Sequence, residues 1–146
     1  MNEQKHKIKM DNLLDQAEPY ATFHDAELNE IKINYTESKL SAEFDLCVGN
    51  PEATTDAERE RRRKGILHVS RLICWAIDPP SNAGSETLGS LWLTDDGLII
   101  ESSNKTAKEL AATLTPETYG WYLYFNNLNA FAYLVAKKAE FEWKSA

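Results

Sequence analysis

Between residues 31 and 48 apolar and polar side chains alternate, and that alternation constrains the fold more than any other feature of the chain. Ile31, Ile33 and Tyr35 are separated by Lys32 and Asn34. After Thr36-Glu37-Ser38-Lys39 comes a second run, Leu40, Ala42, Phe44, Leu46 and Val48, interleaved with Ser41, Glu43 and Asp45. A period of two sends successive side chains to opposite faces of a strand. The two runs therefore predict a hairpin with one face on a core and its back in water.

Around this hairpin the remaining elements are shorter. Residues 8–18, with Ile8, Leu13, Leu14 and Ala17, read as a short amphipathic helix stopped by Pro19. Thr55-Asp56-Ala57-Glu58 has capping-box spacing and predicts a helix of about two turns closed by Gly65. Residues 66–77 form a β-branched and aromatic strand with Leu67, Val69, Ile73, Trp75 and Ile77 on one face. Arg71 interrupts that face, so the strand bulges there or Arg71 meets an acidic partner. Residues 78–90 form the longest loop. Leu91-Trp92-Leu93 and Leu98-Ile99-Ile100, joined by Thr94-Asp95-Asp96-Gly97, predict a second hairpin with an Asp-Gly turn. A helix opens at Thr106-x-x-Glu109 and runs through Leu114. Trp121–Phe125 is a strand, and Asn126-Asn127-Leu128-Asn129 is turn-rich. Residues 131–143 fit helical spacing and period two; we read them as a strand, with Glu140 and Glu142 facing out. The expected fold class is α+β, a mainly antiparallel sheet built from hairpins with two or three short helices, in one domain over 1–146.

The chain carries 23 acidic residues against 16 Lys plus Arg, a formal charge of −7. A surplus of negative charge disfavours non-specific nucleic-acid binding and suits steering toward a basic protein partner. The basic cluster from Glu58 to Lys64 contains no interleaved aromatic residue on which bases would stack, and its plainer reading is a solvated face of mixed sign. No apolar run approaches the ~20 residues of a membrane span, and the opening MNEQKHKIKM lacks a signal-peptide core, so the expectation is a cytoplasmic protein with no membrane partner. Cys47 and Cys74 then read as reduced thiols in or near the core.

Phosphate-binding glycine loops, a nucleophile elbow, H-E-x-x-H and C-x-x-C are all absent from the sequence, which points to no metal, no cofactor and no catalytic residues. Phe23-His24-Asp25-Ala26-Glu27 is the most suggestive cluster. His24, Asp25 and Glu27 form a possible ligand site, since a carboxylate orients an imidazole for acid–base or metal chemistry. The plainer alternative has His24 and Asp25 satisfying backbone groups; His24→Ala would then cost about 1–2 kcal/mol through a lost buried bond. His68 reads as a half-buried strand histidine before it reads as a base. Asp95 and Asp96 read as turn residues before they read as paired acids.

Nine of the fifteen aromatics follow residue 118. If Trp121, Leu123 and Phe125 face a core, Tyr122 and Tyr124 face outward. They form either a protein-binding patch or the floor of a second layer under a short helix. Tyr122, Tyr124, Glu140 and Glu142 are the candidate partner contacts.

Three stretches carry a family resemblance: Phe23-His24-Asp25-Ala26-Glu27-Leu28 leading into Ile31-x-Ile33; Tyr124-Phe125-Asn126-Asn127-Leu128-Asn129-Ala130-Phe131; and Ala136-Lys137-x-Ala139-x-Phe141-x-Trp143. In that order they resemble small bacterial β-rich domains, including immunity proteins of the immunity protein 50 type. The resemblance implies a sheet-based α+β domain without catalytic residues and supports the strand over 131–143. It also implies a non-enzymatic protein that neutralises a toxin by covering a basic active site. The alternative is a small-ligand domain or enzyme with a pocket near His24 and the 78–90 loop. A homodimer is the third expectation, because edge strands and exposed aromatics also pair copies of one chain.

Overall fold

The structure, a computed structural model, describes residues 4–79 and 89–145. Six antiparallel strands close into a barrel: β1 (Thr22–Asn34), β2 (Lys39–Cys47), β3 (Arg62–Ile77), β4 (Leu91–Leu98), β5 (Tyr119–Phe125) and β6 (Ala130–Trp143). Their order is β1-β2-β3-β6-β5-β4, with β4 returning to β1. The chain thus makes two three-stranded meanders and joins them edge to edge. One seam, β3 to β6, runs from Gly65↔Trp143 to Ile77↔Ala132; the other, β1 to β4, spans only Ala26–Leu28 against Leu91–Leu93. Closure overturns the expected α+β class. Beyond the strands, the described residues form only α1 (Asp56–Arg59), α2 (Lys105–Ala111) and three 3-10 turns.

The hairpin read from residues 31–48 is present, with Ile33 opposite Leu40 and Ile31 opposite Ala42, but its turn falls at residues 35–38 rather than 36–39 and leaves Tyr35 out of the strand. Its apolar row fills the barrel, where Phe44 and Leu46 meet Phe23, Leu67, Leu93, Trp121, Leu123 and Phe125. β1 begins nine residues earlier than the alternation showed, because its first half is bulged. Pairing steps from Thr22↔Cys47 to Glu27↔Asp45, and Asp25 sits at φ 64° in the excursion. Of the two readings of Arg71 the bulge is observed. Its φ is 53°, the β3–β6 register slips between Leu72 and Cys74, and Ile73, expected on the core face, stands exposed.

Residues 131–143 are strand, as read. The helical alternative arose because residues 130–136 are buried on both faces. Ala130, Ala132, Leu134 and Ala136 point into the barrel. Tyr133 and Val135 point outward into a second cluster with Ile99 and Ala107, roofed by α2.

Four local expectations are corrected. Residues 8–18 form no helix: 3-10 turns stand at Lys5–Lys7 and Met10–Leu13. The segment is held instead by tertiary bonds, the Trp121 indole donating to the Ile8 carbonyl at 2.7 Å and Phe23 N–H to Asp11 at 2.9 Å. The helix after Thr55 is a single turn, with Thr55 Oγ1 capping Glu58 N–H, and Gly65 lies inside β3 against the Phe141 ring. Asp95-Asp96-Gly97 is not a turn, since β4, after a register shift between Leu93 and Asp95, continues to Leu98, opposite Trp121. A Cβ at Gly97 would lie 2.7 Å from the Tyr122 ring, so this glycine serves close approach rather than reversal. Finally, α2 is capped by Asn104, whose Oδ1 accepts from Thr106 and Ala107 N–H and from the Tyr133 hydroxyl.

No helix among the described residues is long and apolar enough to cross a membrane. Cys47 and Cys74 are free and half-buried, and burial pushes the Cys74 thiol above its ordinary value.

Candidate functional site

Because antiparallel partners share a face, the register assembles rows of side chains across four strands. One row is Lys32 on β1, Ser41 on β2, His68 on β3 and Glu140 on β6. The next, two residues along, is Asn34, Lys39, Ser70 and Lys138. The polar back of the first hairpin, extended by β3 and β6, is therefore a polar surface of mixed sign. It borders a wide concavity, a cleft of about 1280 Å³. The cations Lys5, Lys32, Lys39, Arg63 and Lys138 line the cleft, with the carboxylates of Asp15, Glu140 and Glu142 among them. In a protein of net charge −7, this cleft carries more cations than carboxylates.

Several of these groups are fixed by their neighbours. Lys5 Nζ donates to the Lys137 carbonyl at 2.8 Å, which ties the amino-terminal segment to β6 just where β5 stops pairing with it. Arg63 stands 5.2 Å from the Trp143 ring centre and, with Arg61, grips the buried carboxylate of Glu18. The hydrogen bond from Arg61 holds that carboxyl below its ordinary value. The arginine cluster is thus taken up by Glu18 and, through Arg62, by Asp45 and the carbonyls of Asp25 and Asp45.

His68 meets Glu142 at 3.1 Å, with the imidazole 41% exposed and the carboxylate 67%. Serine, histidine and glutamate stand side by side in the first row. The bond formed there, however, runs diagonally from His68 to Glu142 on an open face where water competes for both groups. Such a row can hold a polar ligand by hydrogen bonds and charge.

Of the candidates read from sequence, Glu140, Glu142 and His68 come together on this face. Tyr122 and Tyr124 do not join them. Tyr133, opposite Tyr122, is seven residues from Glu140, which at ~3.3 Å per residue is roughly 23 Å along the strand. Tyr122 is half-buried against the cluster under α2 and donates to Asp95 at 3.5 Å; Tyr124 packs on Phe131 and donates to Asn129. Tyr122 thus belongs to the floor of a second layer, the other of the two readings, and Tyr124 stands half-buried beside it on Phe131.

The His24 cluster lies outside the cleft. His24 and Asp25 approach to 3.6 Å with side chains 62% and 60% exposed, and Glu27 is flanked by Asp45 and Trp92. The buried bond behind the expected cost of His24→Ala does not exist. Most of the 78–90 loop, residues 80–88, lies outside the described residues.

Of the acidic pair read from sequence as turn residues, one has a perturbed carboxyl. Asp96 is half-buried near Asp11 and Asp95; burial first, then the two like charges, push its carboxyl up to about 6. Among the described residues no group of three His, Cys, Asp or Glu side chains has metal-binding geometry. Lys32, Lys39 and Lys138 were missed in the sequence. Their place on the solvent face was legible for the hairpin, but their convergence required the β3–β6 seam.

No family model matches this chain, and no curated protein does. A likeness in structure is found to the crystal structure of an uncharacterized protein from Neisseria gonorrhoeae. It covers 84% of this chain and 94% of the other at 13% identity, with a TM-score of 0.38.

Proposed function

We propose that this chain is a non-enzymatic protein-binding domain that engages its partner at the β1–β2–β3–β6 cleft. Following the resemblance to immunity proteins, its partner is a bacterial toxin. The observation that carries the proposal is the cleft itself: a wide concavity bordered by rows of lysine, serine, histidine and glutamate together with apolar residues such as Ile33, Phe141 and Trp143. Interfaces are recognised by such complementary charge, which fixes register and excludes wrong partners. A basic toxin, favoured by the overall charge, is steered by the field of the whole molecule. At the cleft it presents carboxylates to Lys32, Lys39 and Lys138, and cations to Glu140 and Glu142. The tyrosine face is not part of this surface.

A tagged chain incubated with lysate of its source cells at moderate salt tests the proposal, with mass spectrometry as the readout. The expected result is a stoichiometric protein partner released at high salt. A chain that retains small metabolites and no protein contradicts it and favours a ligand-binding domain.

A further inference from the structure

β3 outruns the hairpin beside it. Pairing with β2 stops at Ser70 opposite Lys39, whereas β3 continues to Ile77 with β6 on its other side. Asp78 N–H donates to the Phe131 carbonyl at 2.8 Å. In this register the even-numbered residues from Cys74 to Asp78 turn their peptide groups toward β6, and Trp75 and Ile77 turn theirs away. Among the described residues no strand pairs with that outer side.

The exposed side chains along it are apolar. Ile73 is 50% exposed, Ile77 42%, and Tyr35, at the end of the first hairpin, 83%. A concavity of about 310 Å³ bordered by Tyr35, Leu72, Ile73 and Trp75 lies beside them. An unpaired apolar edge is a template for another strand. Charges of opposite sign bracket it: Arg71, exposed at the kink of β3, and Asp78, whose carboxylate accepts from the Tyr133 hydroxyl at 3.4 Å and which precedes Pro79, a residue with no N–H to continue a ladder.

We propose that this edge is a self-association surface, pairing antiparallel with the same edge of a second copy about a two-fold axis at Trp75. Outward peptide groups belong to odd-numbered residues, so odd must pair with odd. The first hairpin closes the window at Leu72, whose N–H donates to the Ser38 carbonyl at 2.9 Å, and Pro79 closes it above. The register centred on Trp75 uses the whole window and sets Ile73 against Ile77 of the second copy. It also brings Arg71 to the end where Asp78 of the second copy stands, so opposite charges meet at both ends. That self-complementarity selects a second copy of this chain over an unrelated apolar strand. None of the charged residues of the cleft takes part, so the proposal stands or falls apart from the partner site.

Sedimentation equilibrium of the full chain over a concentration series tests it, with circular dichroism confirming the fold of each variant. Wild type is expected to dimerise reversibly. Ile73→Lys combined with Ile77→Lys, both at exposed positions, is expected to raise the dimer dissociation constant at least about tenfold. Arg71→Asp alone and Asp78→Arg alone are each expected to weaken the dimer. Together they restore it, because the exchanged charges meet again across the two-fold axis; aspartate also tolerates the positive φ at residue 71. A wild type that is monomeric at every concentration overturns the proposal. So does a dimer indifferent to the isoleucine changes, or a folded double exchange that fails to recover.

Discussion

Asp96 is where a single residue most clearly works against the fold. Its carboxyl is pushed up to about 6 by burial and by Asp11 and Asp95, so the folded chain holds this proton more tightly than the unfolded chain does. The stability tied to that proton is present in full below the ordinary aspartate range near 3.8 and is lost as pH rises through about 6. A shift of about two units corresponds to ~3 kcal/mol at most, and solvent at this half-buried site screens it to roughly 1–2 kcal/mol. Asp96→Asn is therefore expected to raise the urea midpoint at pH 7–8, with the gain vanishing by about pH 4. Equal gains at both pH values would contradict this electrostatic origin. Next to it, Gly97→Ala is expected to cost about 1–3 kcal/mol, because the new methyl meets the Tyr122 ring. The same measurement on Tyr122→Ala/Gly97→Ala should show most of that cost relieved. Asp-Gly misled the sequence reading because local chemistry favours a turn, while the ring that decides the matter is 25 positions away at Tyr122. His24 shows the converse: a suggestive motif whose side chain stands in water.

At the scale of elements, the hairpin of residues 31–48 was legible because one of its faces is core and the other solvent. The strand over 131–143 was legible only in part. Two layers bury residues 130–136, and the alternation on which a strand reading depends is filled in by apolar side chains on both faces. The amino-terminal segment was misread because Ile8, Leu13 and Leu14 have helical spacing, yet the Ile8 and Leu14 N–H groups close 3-10 turns on Lys5 and Asp11, and the Ile8 carbonyl meets the distant Trp121 indole. Met10 is buried beneath the segment, and the Trp121 indole fastens it at Ile8. Trp121→Phe removes that donor and is expected to cost about 2–3 kcal/mol in packing and hydrogen bonding together. Limited proteolysis should then cut within residues 5–14 well before the strands. Cleavage rates equal to wild type would mean that the segment is held by packing alone.

For the whole molecule, the consequential features are long-range. The β3–β6 and β1–β4 seams join strands far apart in sequence, and no local pattern announces them. Without the seams the chain reads as hairpins lying in an open sheet, which is how the α+β expectation arose. With them it is a barrel, and the barrel gathers Lys39, His68, Lys138 and Glu140 from three strands around one cleft. The account therefore rests on the cleft as the partner surface, and titration calorimetry of the captured partner tests it most directly. Lys39→Glu with Lys138→Glu reverses two charges of the cleft, while Lys108→Glu makes the same kind of change on the exposed face of α2. The cleft pair is predicted to weaken binding by about 2 kcal/mol or more, roughly thirtyfold, and the α2 variant to leave it near the wild-type value. Equal affinities for the cleft pair and wild type, with the fold intact, would place the partner elsewhere on the barrel and contradict the account.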